Sequence, residues 1–240
     1  MINFLFDPGH GRQDPGAVNG GYKEKDVVLE IALKVQWYLR DYNCSIEFTR
    51  TTDKYLTLKQ RTDMSKGKDV VVSFHNNAST SKEPNGFQTY IYTSPSQKSK
   101  DIANYIQNEI NLIFKPTKWS GVKRKNLHMV RETKCPAVLL EMFFISNDND
   151  ADMIVYRQDD IASAIAQGLI KSCGLKIVSN IPRETIQKPV KKYKSIVEYL
   201  QANKQPYGFN DRKKLAQKLG IKNYTGTAGQ NIQMLNMLQG

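Results

Sequence analysis

This 240-residue sequence is sparing with the residues that usually advertise chemistry. It has three histidines and three cysteines. Cys44, Cys135 and Cys173 are far apart and form no CxxC pair, which excludes a disulfide framework and a cysteine-rich zinc site. They read as ordinary, largely buried thiols. No stretch approaches the ~20 consecutive apolar residues of a membrane span, so no membrane insertion is expected. The first seven residues, MINFLFD, contain neither a basic segment nor a cleavage motif. They read as a strand and predict synthesis in the cytoplasm without a signal peptide.

What is present is positive charge, unevenly placed. The net charge is +12, with 35 Lys and Arg against 23 Asp and Glu. Residues 1–174 are nearly balanced, at 23 basic against 20 acidic, whereas residues 175–240 carry 12 against 3. A basic tail on a nearly neutral body predicts a polyanionic partner for the tail. Nucleic acid, anionic lipid and acidic cell-wall polymer all satisfy the charge alone. With 40% hydrophobic residues, the chain can bury a substantial core.

Residues 1–174 alternate the two hydrophobic periods. Strands are expected at 2–6, 45–49, 69–74, 86–92, 127–130 and 137–144. Helices are expected at 25–42, 57–66, 96–114 and 159–173, the last stopped by Gly174. Val27, Val28, Ile31, Val35, Tyr38 and Leu39 fall on one stripe of the first helix. The runs DVVVSF and AVLLEMFF are continuous enough for strands buried on both faces. This alternation predicts an α/β fold: an open, mostly parallel twisted sheet with helices on both faces. Residues 175–193, with two prolines and no periodicity, read as a linker. Residues 194–240 read as a small all-α module of three short helices, 195–202, 210–219 and 227–238, with Asn210 and Thr227 as N-caps and Gly220 as a stop.

The polar residues cluster at strand ends. His10 follows the first strand in FDPGHG, and His75 follows DVVVSF. Glu141 sits near the end of AVLLEMFF, and Glu24 precedes the first long helix. In an open parallel sheet, binding sites gather at the carboxyl edge of the strands. Two imidazoles and a carboxylate with one open position suit a catalytic zinc ion, and a second carboxylate could then move the proton. Strand-end histidines are also common as plain hydrogen-bonded loop residues. Glu141, costly to bury alone, could equally be salt-bridged to Arg50, Arg61 or Arg131.

Four stretches speak more specifically: FDPGHGRQDPGAV, YKEKDVVLEIALKV, TLKQRTDMSKGKDVVVSFHNNA and NLHMVRETKCPAVLLEMFFISNDNDA. In order and spacing they resemble the zinc-dependent N-acetylmuramoyl-L-alanine amidases of the amidase-3 group, over about residues 1–174. The resemblance implies one zinc ion and hydrolysis of the amide between N-acetylmuramic acid and L-alanine in peptidoglycan. It matches His10, Glu24 and His75 to the zinc ligands and Glu141 to the catalytic glutamate. Asn77 stands where the family has a substrate-side asparagine, and His128, which the motifs do not require, is expected at the substrate edge or in a structural role. Phe74 and Asn76 beside the second histidine, and Met142-Phe143 in place of a Leu-Gly type pair, depart from the pattern. Those departures bear on pocket shape.

The tail stretch YGFNDRKKLAQKLGIKNYTGTAGQNIQMLNMLQ resembles small C-terminal modules of phage and bacterial wall hydrolases. It is expected to hold the protein on peptidoglycan or anionic wall polymer. Tyr193, Tyr199, Tyr207, Phe209 and Tyr224 could stack on sugars or form the small core. No nucleic-acid partner is expected, because residues 227–238, where a recognition helix would lie, contain no Lys or Arg. A wall hydrolase made in the cytoplasm with a wall-binding tail predicts an endolysin released by a holin-type lesion. Alternatives are a host or prophage autolysin, a zinc peptidase cutting another wall amide, and a non-catalytic wall-binding protein.

Overall fold

The computed structural model describes residues 1–19, 22–178, 193, 195–203 and 205–239. The chain divides into two compact units, Met1–Pro189 and Val190–Gly240.

The first unit is built on six strands: β1 (Ile2–Pro8), β4 (Cys44–Phe48), β5 (Val70–Asn77), β6 (Gln88–Ile91), β7 (Gly121–Arg124) and β8 (Ala137–Phe144). Their spatial order is β4-β1-β5-β8-β6-β7. All neighbours run parallel except β6 against β8. Val18–Asn19 (β2) and Tyr22–Lys23 (β3) form a separate antiparallel pair in the loop after β1. The expected open, mostly parallel sheet with helices on both faces is present.

The alternation of side chains along each strand sorts the sheet into two faces. Phe4, Phe6, Val70, Val72, Phe74, Val138, Leu140 and Met142 point to one face. There they pack under α1 (Glu24–Leu39), α3 (Gln97–Ile113) and α6 (Gln158–Cys173) in the main core. Each large side chain fully buried there is worth roughly 1.5–3 kcal/mol. Leu5, Val71, Ala137 and Leu139 face the other way, toward α2 (Leu58–Asp63) and α4 (His128–Arg131), in a smaller cluster with Met129 and Val130. The next positions on this thinly covered face are Asp7, Ser73, His75 and Glu141, so the chemistry lies on the side with less helix over it.

Several expectations change. Residues 127–130 form no strand: His128–Arg131 is one helical turn, with Leu127 as its extended N-cap. Four residues are too few to reveal a helical period, and the apolar neighbours imitate a strand. A further helix, α5 (Asp148–Tyr156), follows β8, capped by the Asn147 side chain. No element was expected over these residues, but the acidic Asp148 and Asp150 of its first turn favour a helix N-terminus. Asp150 there is buried and accepts the backbone N–H groups of Gly86 and Phe144. Leu175–Val178 do not leave the first unit: Lys176 and Val178 hydrogen-bond to residues 41–43. Most of the expected linker, residues 179–192, lies outside the described residues.

The second unit contains α7 (Ile196–Ala202), α8 (Phe209–Lys218) and α9 (Ala228–Gln239) around Ile196, Leu200, Ala216, Ile221, Tyr224, Met234 and Leu235. Helix α8 starts one residue earlier than expected, with Gly208 rather than Asn210 at its N-cap. Tyr224 is buried and Tyr193 and Tyr199 pack against this core, whereas Tyr207 and Phe209 are exposed.

Candidate functional site

The parallel register of β5 and β8 sets His75 opposite Glu141. Strand β1 delivers His10 in the turn just beyond Pro8, and Glu24 opens α1. These four residues, from four segments, meet at the carboxyl edge of the sheet.

Donor atoms of His10, Glu24 and His75 all lie within 4.8 Å of one another. Glu24 Oε1 is 3.0 Å from His10 Nε2 and 3.0 Å from His75 Nδ1. Two of the three are held from behind. His10 Nδ1 donates to Asp14 Oδ2 at 2.9 Å. Glu24 accepts the backbone N–H of Ala17 on one oxygen and that of Asn76 on the other, both at 2.9 Å. A carboxylate behind a metal-ligating imidazole fixes its tautomer and direction. Asp14 was not singled out from the sequence, although its His-x-x-x-Asp spacing was the available signal.

The electrostatics suit a cation. Burial pushes the Glu24 carboxyl up, but hydrogen bonds from His10 and His75 overcome this and hold it well below its ordinary range. Burial pulls both imidazoles down, and Glu24 overcomes it, leaving both raised. The same carboxylate that raises the imidazoles would attract a cation, and metal uptake would compete with protons for their ring nitrogens. Two imidazoles and one carboxylate, orbited by fixed hydrogen bonds and open on one side, fit a zinc ion.

Glu141 stands beside this trio and belongs to no ion pair among the described residues. The arginines that could have neutralised it are engaged elsewhere: Arg61 pairs with buried Asp7 at 2.8 Å, Arg50 faces main-chain carbonyls and Arg131 pairs with Glu132. Among the described residues, Glu141 Oε2 is buried with no hydrogen-bond partner. Burial, only partly offset by the charge of His75, raises its carboxyl to about 7. A carboxyl poised there can take and return a proton near neutral pH.

Two glycines make the geometry possible. A Cβ on Gly9 would lie 2.2 Å from the His75 ring, so its bare backbone is what lets that imidazole in. Gly11 has φ +139, and a Cβ there would strike the Lys54 carbonyl oxygen at 2.1 Å. His10 between them has φ +61, a left-handed conformation that costs a residue with a Cβ. Phe143, two residues past Glu141, is also left-handed at φ +67. This is where the Leu-Gly type pair of the family would put glycine. Phe143 is held there by Phe114 and Phe87, with ring centroids at 5.0 and 5.7 Å.

The cleft over the site, about 110 Å³, is lined by His10, Asp14, His75, Tyr55, Leu58 and Met129 among others. Tyr55, Leu58 and Met129 were not anticipated, since a cleft wall formed by a loop residue and two short helices has no sequence signature. Asn77 lies two residues beyond His75 on β5 and donates to Gln88 Oε1 at 2.8 Å. His128 does not line the cleft. It borders a separate cavity with Lys59, Lys66, Glu132 and Lys134, and its Nε2 is buried without a hydrogen-bond partner among the described residues.

A family model described as N-acetylmuramoyl-L-alanine amidase (Amidase_3) matches residues 5–171. The chain is 37% identical over 172 residues to the N-acetylmuramoyl-L-alanine amidase LytC of Bacillus subtilis, covering 69% of this chain but 34% of that protein. It is 31% identical over 218 residues to the sporulation-specific N-acetylmuramoyl-L-alanine amidase of the same species, covering 88% of this chain and 83% of that one. The solved catalytic domain of CwlV, an N-acetylmuramoyl-L-alanine amidase from Bacillus (Paenibacillus) polymyxa, superposes with a TM-score of 0.68 at 33% identity. It covers 73% of this chain and 100% of that structure. With its His10–Glu24–His75 cluster and neighbouring Glu141 carried on the matched segment, the chain belongs to the Amidase_3 family of N-acetylmuramoyl-L-alanine amidases.

Proposed function

We propose that this protein hydrolyses the amide between N-acetylmuramic acid and L-alanine in peptidoglycan, with one zinc ion held by His10, Glu24 and His75. The observation that carries the reading is the buried, partnerless Glu141 oxygen next to three converging donors. A carboxylate left unsatisfied in this position is wasteful for stability and useful for proton transfer. Zinc bound there would supply Lewis acidity toward the amide carbonyl and make a neighbouring water easier to deprotonate. Glu141 takes a proton from water on its free Oε2 and returns it to the departing alanine nitrogen. Asp14 keeps His10 Nε2 aimed inward, while the Ala17 and Asn76 amides hold the Glu24 carboxylate. Asn77, two residues beyond His75 on β5, is read as a substrate contact.

The basic second unit fits an anchor on anionic wall polymer. Residues 190–240 carry nine Lys and Arg against two Asp and Glu, which supports that assignment, as does the exposure of Lys213, Lys214, Lys218 and Lys222. We place the enzyme as an endolysin that reaches the wall from the cytoplasm after holin-type release. A second reading, an amidase acting on the wall of the cell that makes it, is favoured by the 218-residue similarity to a sporulation-specific amidase.

Mass spectrometry of digested peptidoglycan tests the chemistry. New L-alanine amino termini without new reducing ends are expected, and activity should vanish with chelator and return with Zn²⁺. New reducing ends would point to a glycosidase, and free amines at other stem positions to a peptidase.

A further inference from the structure

We infer that Arg50 and Arg61 are positioning residues for the metal site: their buried guanidiniums hold the carbonyls of Pro8, Gly9 and His10, and Arg50 also ties that turn to the start of α1. The inference rests on reading His10, Glu24 and His75 as metal ligands.

The turn 8–11 leaves the sheet through a left-handed histidine, so its carbonyls cannot continue a strand ladder. Buried carbonyls without donors are costly. Arg61 donates through Nη1 to Pro8 O at 2.8 Å and through Nη2 to His10 O at 2.6 Å. Arg50 donates through Nε to Pro8 O at 3.0 Å. Arg50 Nη2 then donates at 2.7 Å to both Gly9 O and Lys25 O. Gly9 precedes His10 and Lys25 follows Glu24, so a single guanidinium nitrogen joins the residues flanking two ligands.

The two arginines differ in a telling way. Arg61 is anchored by Asp7, which also accepts hydroxyl protons from Thr49 and Ser73. Arg50 is only 3% exposed, yet it forms none of the ion pairs found among the described residues, and every hydrogen bond it donates goes to a main-chain carbonyl. A buried cation with no counter-ion at contact distance is expensive. Its four carbonyl partners come from residues 8, 9, 25 and 52, three of them beside the ligands. A planar fork with five fixed N–H groups can span them, and an ammonium cannot.

The test measures Zn²⁺ affinity of the full chain by competition with a chromophoric chelator, and the visible spectrum of the Co²⁺-loaded protein. Arg50→Lys keeps the charge and loses the fork; Arg50→Gln loses both and leaves no carboxylate stranded. Each is expected to weaken Zn²⁺ binding about 10- to 100-fold, the usual effect of removing a group behind the ligands. The Co²⁺ bands should shift, and turnover should recover in excess Zn²⁺, which a general loss of stability would not produce. Wild-type affinity in both folded variants overturns the inference, and so does lost activity that excess Zn²⁺ does not restore. The unmodified protein supplies an independent measurement, because coupling is reciprocal: Zn²⁺ should slow solvent exchange of the Arg50 guanidinium protons, and unchanged exchange overturns the inference. If the unmodified protein binds no Zn²⁺, the ligand reading itself has failed.

Discussion

In the first unit, Asp7, Glu24, Arg50 and Arg61 are buried and each is met by several polar partners. In the second unit, Lys213, Lys214, Lys218 and Lys222 of the described residues lie at the surface, around a core of seven buried side chains. Both arrangements use charge, with opposite physics. A buried charge is tolerated only when hydrogen bonds surround it, so it transmits geometry to whatever it touches. An exposed charge keeps its water and acts through a field that salt screens within about 10 Å at 0.1 M. The first can aim a ligand or a base. The second can hold a polymer of matching charge without specifying a single contact.

The largest loss is expected at Glu141. Glu141→Gln should lower turnover by about 10²- to 10⁴-fold, the range for a positioned acid–base group, while bound zinc measured by elemental analysis stays unchanged. A variant that still turns over would move the proton-transfer role elsewhere.

Asp7 is the buried charge with the next largest expected effect. Burial pushes its carboxyl up, but Arg61 and Ser73 overcome this and lower it below the ordinary value. A carboxyl depressed in the folded state contributes stability that is complete above its unfolded value, about 3.9, and is lost as pH falls through the folded value. Asp7→Asn also strands the Arg61 charge and should cost about 3–5 kcal/mol at pH 7. The gap to wild type should narrow steadily below about pH 4. Urea midpoints at pH 7, 5, 4 and 3 measure this, and a constant gap would assign the depression to another group.

The smallest effect belongs to the exposed charges. Replacing Lys213, Lys214 and Lys218 together by Glu should reduce adsorption to isolated walls several-fold at low salt and leave turnover of a soluble muramyl peptide untouched. Adsorption insensitive to both the substitutions and the salt would assign wall binding to the first unit.

Much of this was legible in the sequence, for identifiable reasons. AVLLEMFF is a strand over the whole of residues 137–144 because a central strand buried on both faces needs an unbroken apolar run. His10, Glu24 and His75 were legible because sheet edges collect sites and because three motifs agreed in order. The use of Arg50 and Arg61 was not. Both were weighed as partners for Glu141 because charge complementarity is visible in a sequence, whereas the demand of bare carbonyls in a left-handed turn appears only once the turn exists. Strand β7, GVKR, was missed for a related reason: a four-residue edge strand with two cations lacks the apolar alternation that marks a covered one. The cap of α8 moved from Asn210 to Gly208 because cap position depends on where the chain turns, and both residues suit the role.

Strand β6 runs against β8, with Gln88 opposite Glu141. Residues 78–87 therefore depart from the edge where β5 ends with Asn77 and come back to that same edge at Gln88. In a wholly parallel sheet, a segment leaving the catalytic edge must travel the length of the sheet before the next strand begins. Here it need not, so its length is uncoupled from strand length, and each doubling costs only about 0.6 kcal/mol in closure entropy. Lys82, Glu83 and their neighbours in its first half are already exposed. Lengthening or rewriting this one excursion would re-contour the mouth beside Glu141 while every strand pairing stayed in place. Divergence among enzymes of this architecture that meet different peptide stems should concentrate in this segment.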